Sequence, residues 1–376
     1  MDSVGTMRAP SQDFSCARRA CALLLAFLFA TIHPSVLAAA DVAGSPARDG
    51  HEVFAVDSPV GLIDYVAGRG LRIGKTGLTI GGFATAYAER FEDGEAAGGI
   101  DHVNFFLFYD PAPFLHFFSE LEVHGLGEWE NGQEGLHFSP GLKAERLYVD
   151  AGRSDQANLR FGKFLTPFGR WNQVLAEPLL WTRSEPLIVE DVFDETVTGA
   201  MLWGTLFPRG EALTYSLYGT FLDPIQPDHE NPPSQYSVGG RVEWTGRDGS
   251  SLGASYVASQ RSGHAWNNLG GVDGLWRPLD RVELSGEALF GEGTNADGWE
   301  WGLYAQAVVE TVPTLYLVTR YERFDPPGSH GGIDLFDLGL TWIPTYYLRL
   351  KADYRFADHA DELSAAGLQA SFSVLF

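Results

Sequence analysis

In YYLRLKADYRF (Tyr346–Phe356) every second residue is apolar or aromatic: Tyr346, Leu348, Leu350, Ala352, Tyr354 and Phe356. Arg349, Lys351, Asp353 and Arg355 fill the opposite parity. RVELSGEALF (Arg281–Phe290) repeats the pattern, with Val282, Leu284, Gly286, Ala288 and Phe290 opposing Arg281, Glu283, Ser285 and Glu287. Period two over ten residues specifies a strand with one greasy face and one charged face. Such pieces succeed one another near 78–90, 102–110, 114–124, 142–150, 159–164, 197–207, 213–222, 236–245, 251–260, 268–276, 281–290, 299–310, 314–323, 334–342, 346–356 and 367–376. No strong 3.6-residue periodicity competes, so the chain is all-β. The count is about sixteen; fourteen is the alternative, because 159–164 and 268–276 carry weak patterns.

The connections alternate in length. DPAP, PRGEA, GRDGS, RPLD, TVP and IPT are short, and between them come stretches such as WENGQEGLHFSP, DPIQPDHENPPS and FDPPGSHGGI. Sorted turns and loops are the mark of a transmembrane, antiparallel, up-and-down β-barrel, with short periplasmic turns and longer outer loops. With directions set by the loops, Trp244, Trp276, Trp342, Tyr346 and Phe376 fall at the turn ends, and Phe221, Phe290, Trp301 and Phe356 at the loop ends. Two aromatic girdles match two bilayer interfaces. A soluble sandwich also alternates, but has no reason to sort its loops or to place aromatics at both strand ends.

Residues 1–40 read as a secretory signal: Arg18 and Arg19, an apolar run from Ala20 to Ile32, then SVLAAAD with small-residue cleavage sites after Ala38 or Ala40. Both cysteines, Cys16 and Cys21, lie there, so the processed chain has no thiol for disulfide or zinc–thiolate chemistry. Residues 41–77 form a short N-terminal periplasmic segment, in which PVGLIDYV is either a helical turn or a pairing strand; the barrel runs from 78 to 376. A formal charge of −23 argues against a nucleic-acid partner.

The non-apolar parity places Arg241, Glu243, Arg281, Glu283, Arg320, Arg349, Lys351 and Arg355 on the lumen wall, with Glu120, Glu122, Glu287, Glu322, Asp337 and Asp353 among the inward acids. A Lys or Arg facing lipid costs about 2–4 kcal/mol at the bilayer midplane, so this face belongs to water. The longest connection, 165–196, holds Trp171, Trp181, Leu179, Leu180, Leu187, Ile188 and Val189, too apolar for a solvated loop. It reads as a segment folded inward to a pore constriction, with Arg170, Arg183, Glu185, Glu190 and Asp191 facing a basic wall of Arg349, Lys351 and Arg355. An outside lid, or acids bridged by divalent ions to lipopolysaccharide, are the alternatives.

LRFGKFLTPFGRWN (Leu159–Asn172) resembles the GKF-x-x-PFG strand-and-turn element of the phosphate-selective porin O/P-like group of Gram-negative outer-membrane proteins. GLQASFSVLF (Gly367–Phe376) resembles the terminal strand of outer-membrane barrels, where a final Phe is read by the barrel assembly machinery. The resemblance implies a sixteen-stranded, trimeric porin. It does not carry phosphate with it, because that selectivity needs a ladder of lumenal Arg and Lys and this inward face is net acidic. Lys163, Arg160 and Arg170 lie near the motif, but Gly162 permits a bulge that leaves their facing open. The expected function is passive diffusion of small hydrophilic solutes or ions, with weak cation preference or little selectivity. Expected partners are the bilayer, lipopolysaccharide and small polar solutes. The alternative is a plugged barrel acting as a surface enzyme, an adhesin or a structural protein. His229, His264, His330 and His359 sit singly in outer loops without a catalytic motif, so no catalytic, cofactor or metal residues are assigned.

Overall fold

A chain of period-two segments pairs each with the next, because a short turn returns the second strand alongside the first. In a computed structural model, which describes residues 53–132, 135–174, 176–190, 192–226, 234–261, 265–293, 298–328, 331–357 and 366–376, this rule builds the whole molecule. Residues 1–40 with both cysteines, His229, His264, His330, His359 and Asp191 lie outside the described residues, as does the side chain of Glu190.

The strands are β1 (Val53–Ser58), β2 (Gly61–Val66), β3 (Gly70–Ile73), β4 (Leu78–Phe91), β5 (Ala96–Ala112), β6 (Leu115–His124), β7 (Glu128–Glu130), β8 (Gly141–Ser154), β9 (Ala157–Leu165) and β10 (Thr196–Leu206). They continue with β11 (Ala212–Thr220), β12 (Tyr236–Thr245), β13 (Ser251–Gln260), β14 (Trp266–Leu279), β15 (Val282–Glu292), β16 (Trp299–Val312), β17 (Leu315–Asp325), β18 (Ile333–Thr345), β19 (Leu348–Ala357) and β20 (Gly367–Leu375). All pairings are antiparallel, and β20 closes on β4 from Gly367↔Phe91 to Leu375↔Phe83. With β1–β3 and the short β7 set aside, sixteen strands form a closed barrel. The weakly patterned segments are β9 and β14, both fully paired on two sides, which settles the count.

PVGLIDYV resolves as a pairing strand. β1, β2 and β3 form a meander, and β3 extends the sheet onto the first residues of β4 at Leu71↔Ile80. That edge of β4 is open there because β20 ends at Leu375. Phe376 completes the seam: its backbone exchanges two hydrogen bonds with Gly82, each 2.9 Å, and its ring packs edge-on against Phe105 at 5.9 Å. Gly82 leaves the space, since a Cβ there would sit 2.8 Å from the Phe376 ring.

Side-chain facing follows the sequence. In β18, Phe336, Leu338, Leu340 and Trp342 point out and are 42–50% exposed, while Asp337 and Thr341 are buried inside. The girdle residues Trp244, Trp276, Trp342 and Tyr346 at one end, and Phe221, Phe290, Trp301 and Phe356 at the other, are all exposed. A continuous apolar belt of this kind is far beyond the few hundred Å² a soluble monomer exposes, so the outer face is built for hydrocarbon.

Candidate functional site

The element that carries the family resemblance steers the chain off the wall. Gly162 has φ of +129° and Gly169 φ of +62°, conformations in which an L side chain is strained. A side chain at Gly169 would also collide with the Glu287 carboxylate. Phe164 and Phe168 are buried, and beyond them the chain runs across the interior. Gly169 N donates to Ser255 Oγ at 3.1 Å, and Trp171 N to Glu287. Trp181 Nε1 donates to Glu283 at 3.0 Å, Arg183 N to Asp353 at 2.8 Å, and Leu187 N to Glu322 at 2.8 Å. The described residues of 166–195 therefore traverse the inward faces of β13 through β20, with two 3-10 turns (Trp171–Val174 and Glu177–Leu179) and a short α-helical turn, α1 (Leu187–Glu190), on the way.

Two kinds of force hold this segment. Leu180, Leu187, Ile188, Val189, Val192 and Phe193 pack against Val257, Leu269, Leu289, Tyr304, Phe324 and Leu335 of the wall. Each such side chain withdrawn from water contributes about 1.5–3 kcal/mol, more than the ~1 kcal/mol of an ordinary hydrogen bond. The apolar side thus supplies most of the adhesion and the polar side fixes the register. Lys351 Nζ reaches Glu177 Oε1 at 2.7 Å, Glu177 O at 2.8 Å and Thr182 O at 3.2 Å. Arg320 donates to Thr182, Ser184, Glu322 and Asp337, Arg349 to Leu180 O, and Arg355 to Glu185 O and Asp337.

This arrangement alters the expected transverse field. Arg320, Arg349, Lys351 and Arg355 do face inward, but each donates to the 166–195 segment, Arg320 and Arg355 also to wall carboxylates, and Arg320 is 0% exposed. Arg241 is likewise engaged by Asp273, Glu243 and Ser255. Glu243 and Glu283 face inward as expected, Glu283 receiving Arg277 at 2.8 Å. Arg281 is exposed in the turn before β15, because the strand begins one residue later than its periodicity suggests; it belongs to the rim, not the wall. Arg170 reaches Ser251 Oγ at 3.4 Å, apart from Arg183 and Glu185, which line a cavity elsewhere in the interior. Lys163 is buried and donates to Ala144 O at 2.8 Å, and Arg160 pairs with Asp150 at 2.8 Å. Among the described residues these bases form no continuous ladder along the interior.

Open space remains on the other side. A cavity of about 180 Å³ lies between the segment and the wall of β4, β5, β6 and β8. Glu120, Glu122, Glu145, Glu177, Glu185 and Glu195 contribute six carboxylates, against Lys143, Arg146, Arg183 and the imidazole of His102. Each Lys or Arg is paired: Lys143 with Glu145 at 2.7 Å, Arg146 with Glu120, and Arg183 with Asp101 at 3.0 Å. Burial pushes the Glu195 carboxyl, in the loop before β10, up to about 7, with the neighbouring Glu145 carboxylate adding to the effect. Sequence reading found Glu120, Glu122, Arg183 and Glu185 but missed Lys143, Glu145, Arg146 and Asp101. The cause is two bulges, at Asp101 in β5 and at Glu145 in β8, which break the period-two count where the charges cluster.

A closed barrel with an apolar exterior, a charged interior and a long segment laid across that interior has the architecture of the outer-membrane porins. No protein-family model matches the chain. An uncharacterized protein of Aquifex aeolicus (strain VF5) is 24% identical over 366 residues, with 80% of each chain covered. Among solved structures, Salmonella typhi OmpF in complex with daunomycin superposes with a TM-score of 0.56 at 13% identity, covering 81% of this chain and 99% of that one. The anion-selective porin of Comamonas acidovorans gives 0.55 at 14% identity, with 80% and 99% covered. A loop L8 deletion mutant of OmpT, an outer membrane protein of Vibrio cholerae, gives 0.55 at 12% identity over the same shares. At these identities the likeness is one of fold.

Proposed function

We propose that the protein is a diffusion porin of a Gram-negative outer membrane, secreted through its N-terminal signal and passing small hydrophilic solutes or ions past a constriction formed by residues 166–195. The observation that carries this reading is the cavity beside that segment, where six carboxylates face Lys143, Arg146, Arg183 and the His102 imidazole. Carboxylates in a confined, low-dielectric passage concentrate cations and repel anions, so the selectivity is weakly cationic. The phosphate-type reading gains nothing from the basic wall, whose donors are spent on holding the segment. Assembly through Phe376, contact with lipopolysaccharide and a trimeric state complete the proposal.

Planar-bilayer recording of the purified protein tests it. Discrete conductance steps, and a cation-signed reversal potential in a salt gradient, are the expected result. A silent barrel returns the plugged-lumen reading, and strong anion preference overturns the assignment of the carboxylates.

A further inference from the structure

The barrel wall has a breach where the lumenal segment leaves it. β9 stops at Leu165, and Thr166 N donates to Glu195 O at 2.8 Å at the root of the segment. β8 reaches further toward the loop end, back to Gly141, but its ladder with β9 stops at Leu147↔Lys163. Residues 141–146 of β8 therefore pair with β6 on one side and with no strand on the other. Such an edge leaves backbone groups that need partners. A side chain supplies them. Gln226, in the loop after β11, accepts from Ala144 N at 2.7 Å through Oε1 and donates to Leu142 O at 2.8 Å through Nε2. Its amide stands where the peptide of a neighbouring strand would be. Lys163 Nζ takes the remaining carbonyl, Ala144 O, at 2.8 Å.

The loop reaches this edge across the outside of the barrel. Lys163 and Thr198 are paired and share the outward parity of Phe161 and Leu202, which are 42% and 38% exposed, yet they are only 5% and 7% exposed themselves. Ile225 N donates to Thr198 Oγ1 at 3.1 Å, which lays the loop over that pair. Behind the breach lies the cavity. Lys143 and Glu145 of the unpaired β8 edge line it together with Leu165 and Glu195, which flank the root of the segment. The loop itself is lightly held: Phe221, Leu222, Asp223, Pro224 and Gln226 are exposed, and Gln226 has φ of +49°, in the left-handed region. An element with few hydrogen bonds, themselves exposed, and little buried apolar surface opens at low free energy. We propose that residues 221–226 form a flap over a side entrance to the cavity, with Gln226 as its latch. When the latch releases, small cations reach the cavity carboxylates through the wall beside β8. This deepens the channel reading and rests on it for its place in transport, although opening of the flap does not require conduction.

Thiol labelling tests the flap in the barrel freed of residues 1–40, which hold both cysteines. Glu145→Cys reports the breach, and Glu243→Cys, on the inward face of β12, reports entry along the barrel axis. The probe is 2-(trimethylammonium)ethyl methanethiosulfonate. Gln226→Ala removes both latch bonds and should speed labelling of Glu145→Cys about tenfold, the effect of losing one to two ordinary hydrogen bonds, while Glu243→Cys is unchanged. Gln226→Glu keeps the acceptor for Ala144 N but cannot donate to Leu142 O when ionised, so its rate should fall between. Equal acceleration at both reporters means a loosened barrel, and no acceleration at Glu145→Cys means a fixed edge cap; either result overturns the flap. Planar-bilayer recording keeps the two ideas apart. A silent barrel in which Gln226→Ala still exposes Glu145→Cys removes the porin reading and keeps the flap. A conducting channel whose labelling ignores Gln226→Ala removes the flap and keeps the porin. Retained heat-modifiable gel mobility shows that each variant is a folded barrel.

Discussion

Lys351→Met is the most direct probe of what seats the lumenal segment. Methionine keeps nearly the volume of the aliphatic stem but offers no charge and no donor. The substitution strands Glu177, which is 4% exposed and retains only Ser371 Oγ at 2.9 Å, and it frees the carbonyls of Glu177 and Thr182. Removing one partner of a buried ion pair costs about 3–5 kcal/mol. The stranded carboxylate recovers that energy most easily by leaving its seat for lumenal water. At about 1.4 kcal/mol per tenfold, the unseated population rises by roughly two to three and a half orders of magnitude. Single-channel recording reads this as larger or flickering conductance. Lys351→Met combined with Glu177→Gln removes the stranded charge while a Gln amide still bonds Ser371, so most of the wild-type behaviour returns. If the single variant forms a folded barrel with wild-type conductance and noise, the pair does not seat the segment, and the reasoning from stranded charge fails.

Three other outcomes follow from the same structure. Leu340→Arg, on the lipid face of β18, should destabilise the folded barrel by about 2–4 kcal/mol in vesicle refolding titrations, whereas a water-exposed surface would tolerate it with a shift near zero. Gly82→Leu forces a side chain into the Phe376 ring and the Asn104 carbonyl, so the β4–β20 seam should close poorly, seen as loss of the heat-modifiable band. Glu195 titrates near 7 among Glu122, Glu145, Glu185 and Lys143. It loses charge as pH falls, so cation preference should drop between pH 8 and pH 6, and a Glu195→Gln channel that keeps the full pH dependence would exclude this group as its origin.

Strand number, side-chain facing, both aromatic girdles and the terminal anchor at Phe376 were legible from residue order. The reason is local: period two couples each residue to its own strand's two faces, and a bilayer outside with water inside assigns those faces without reference to any distant partner. The two bulges escaped because one extra residue inverts parity without any composition signal at Asp101 or Glu145. The same locality fails for the candidate site. That Lys351 meets Glu177, that Arg320 holds Ser184 rather than lining an open wall, and that Gln226 caps the β8 edge at Ala144 depend on residues 82 or more positions apart. Inward charge was written in the sequence. Which of those charges are consumed in seating the 166–195 segment, and which remain facing open space, was decided only when the barrel closed around it.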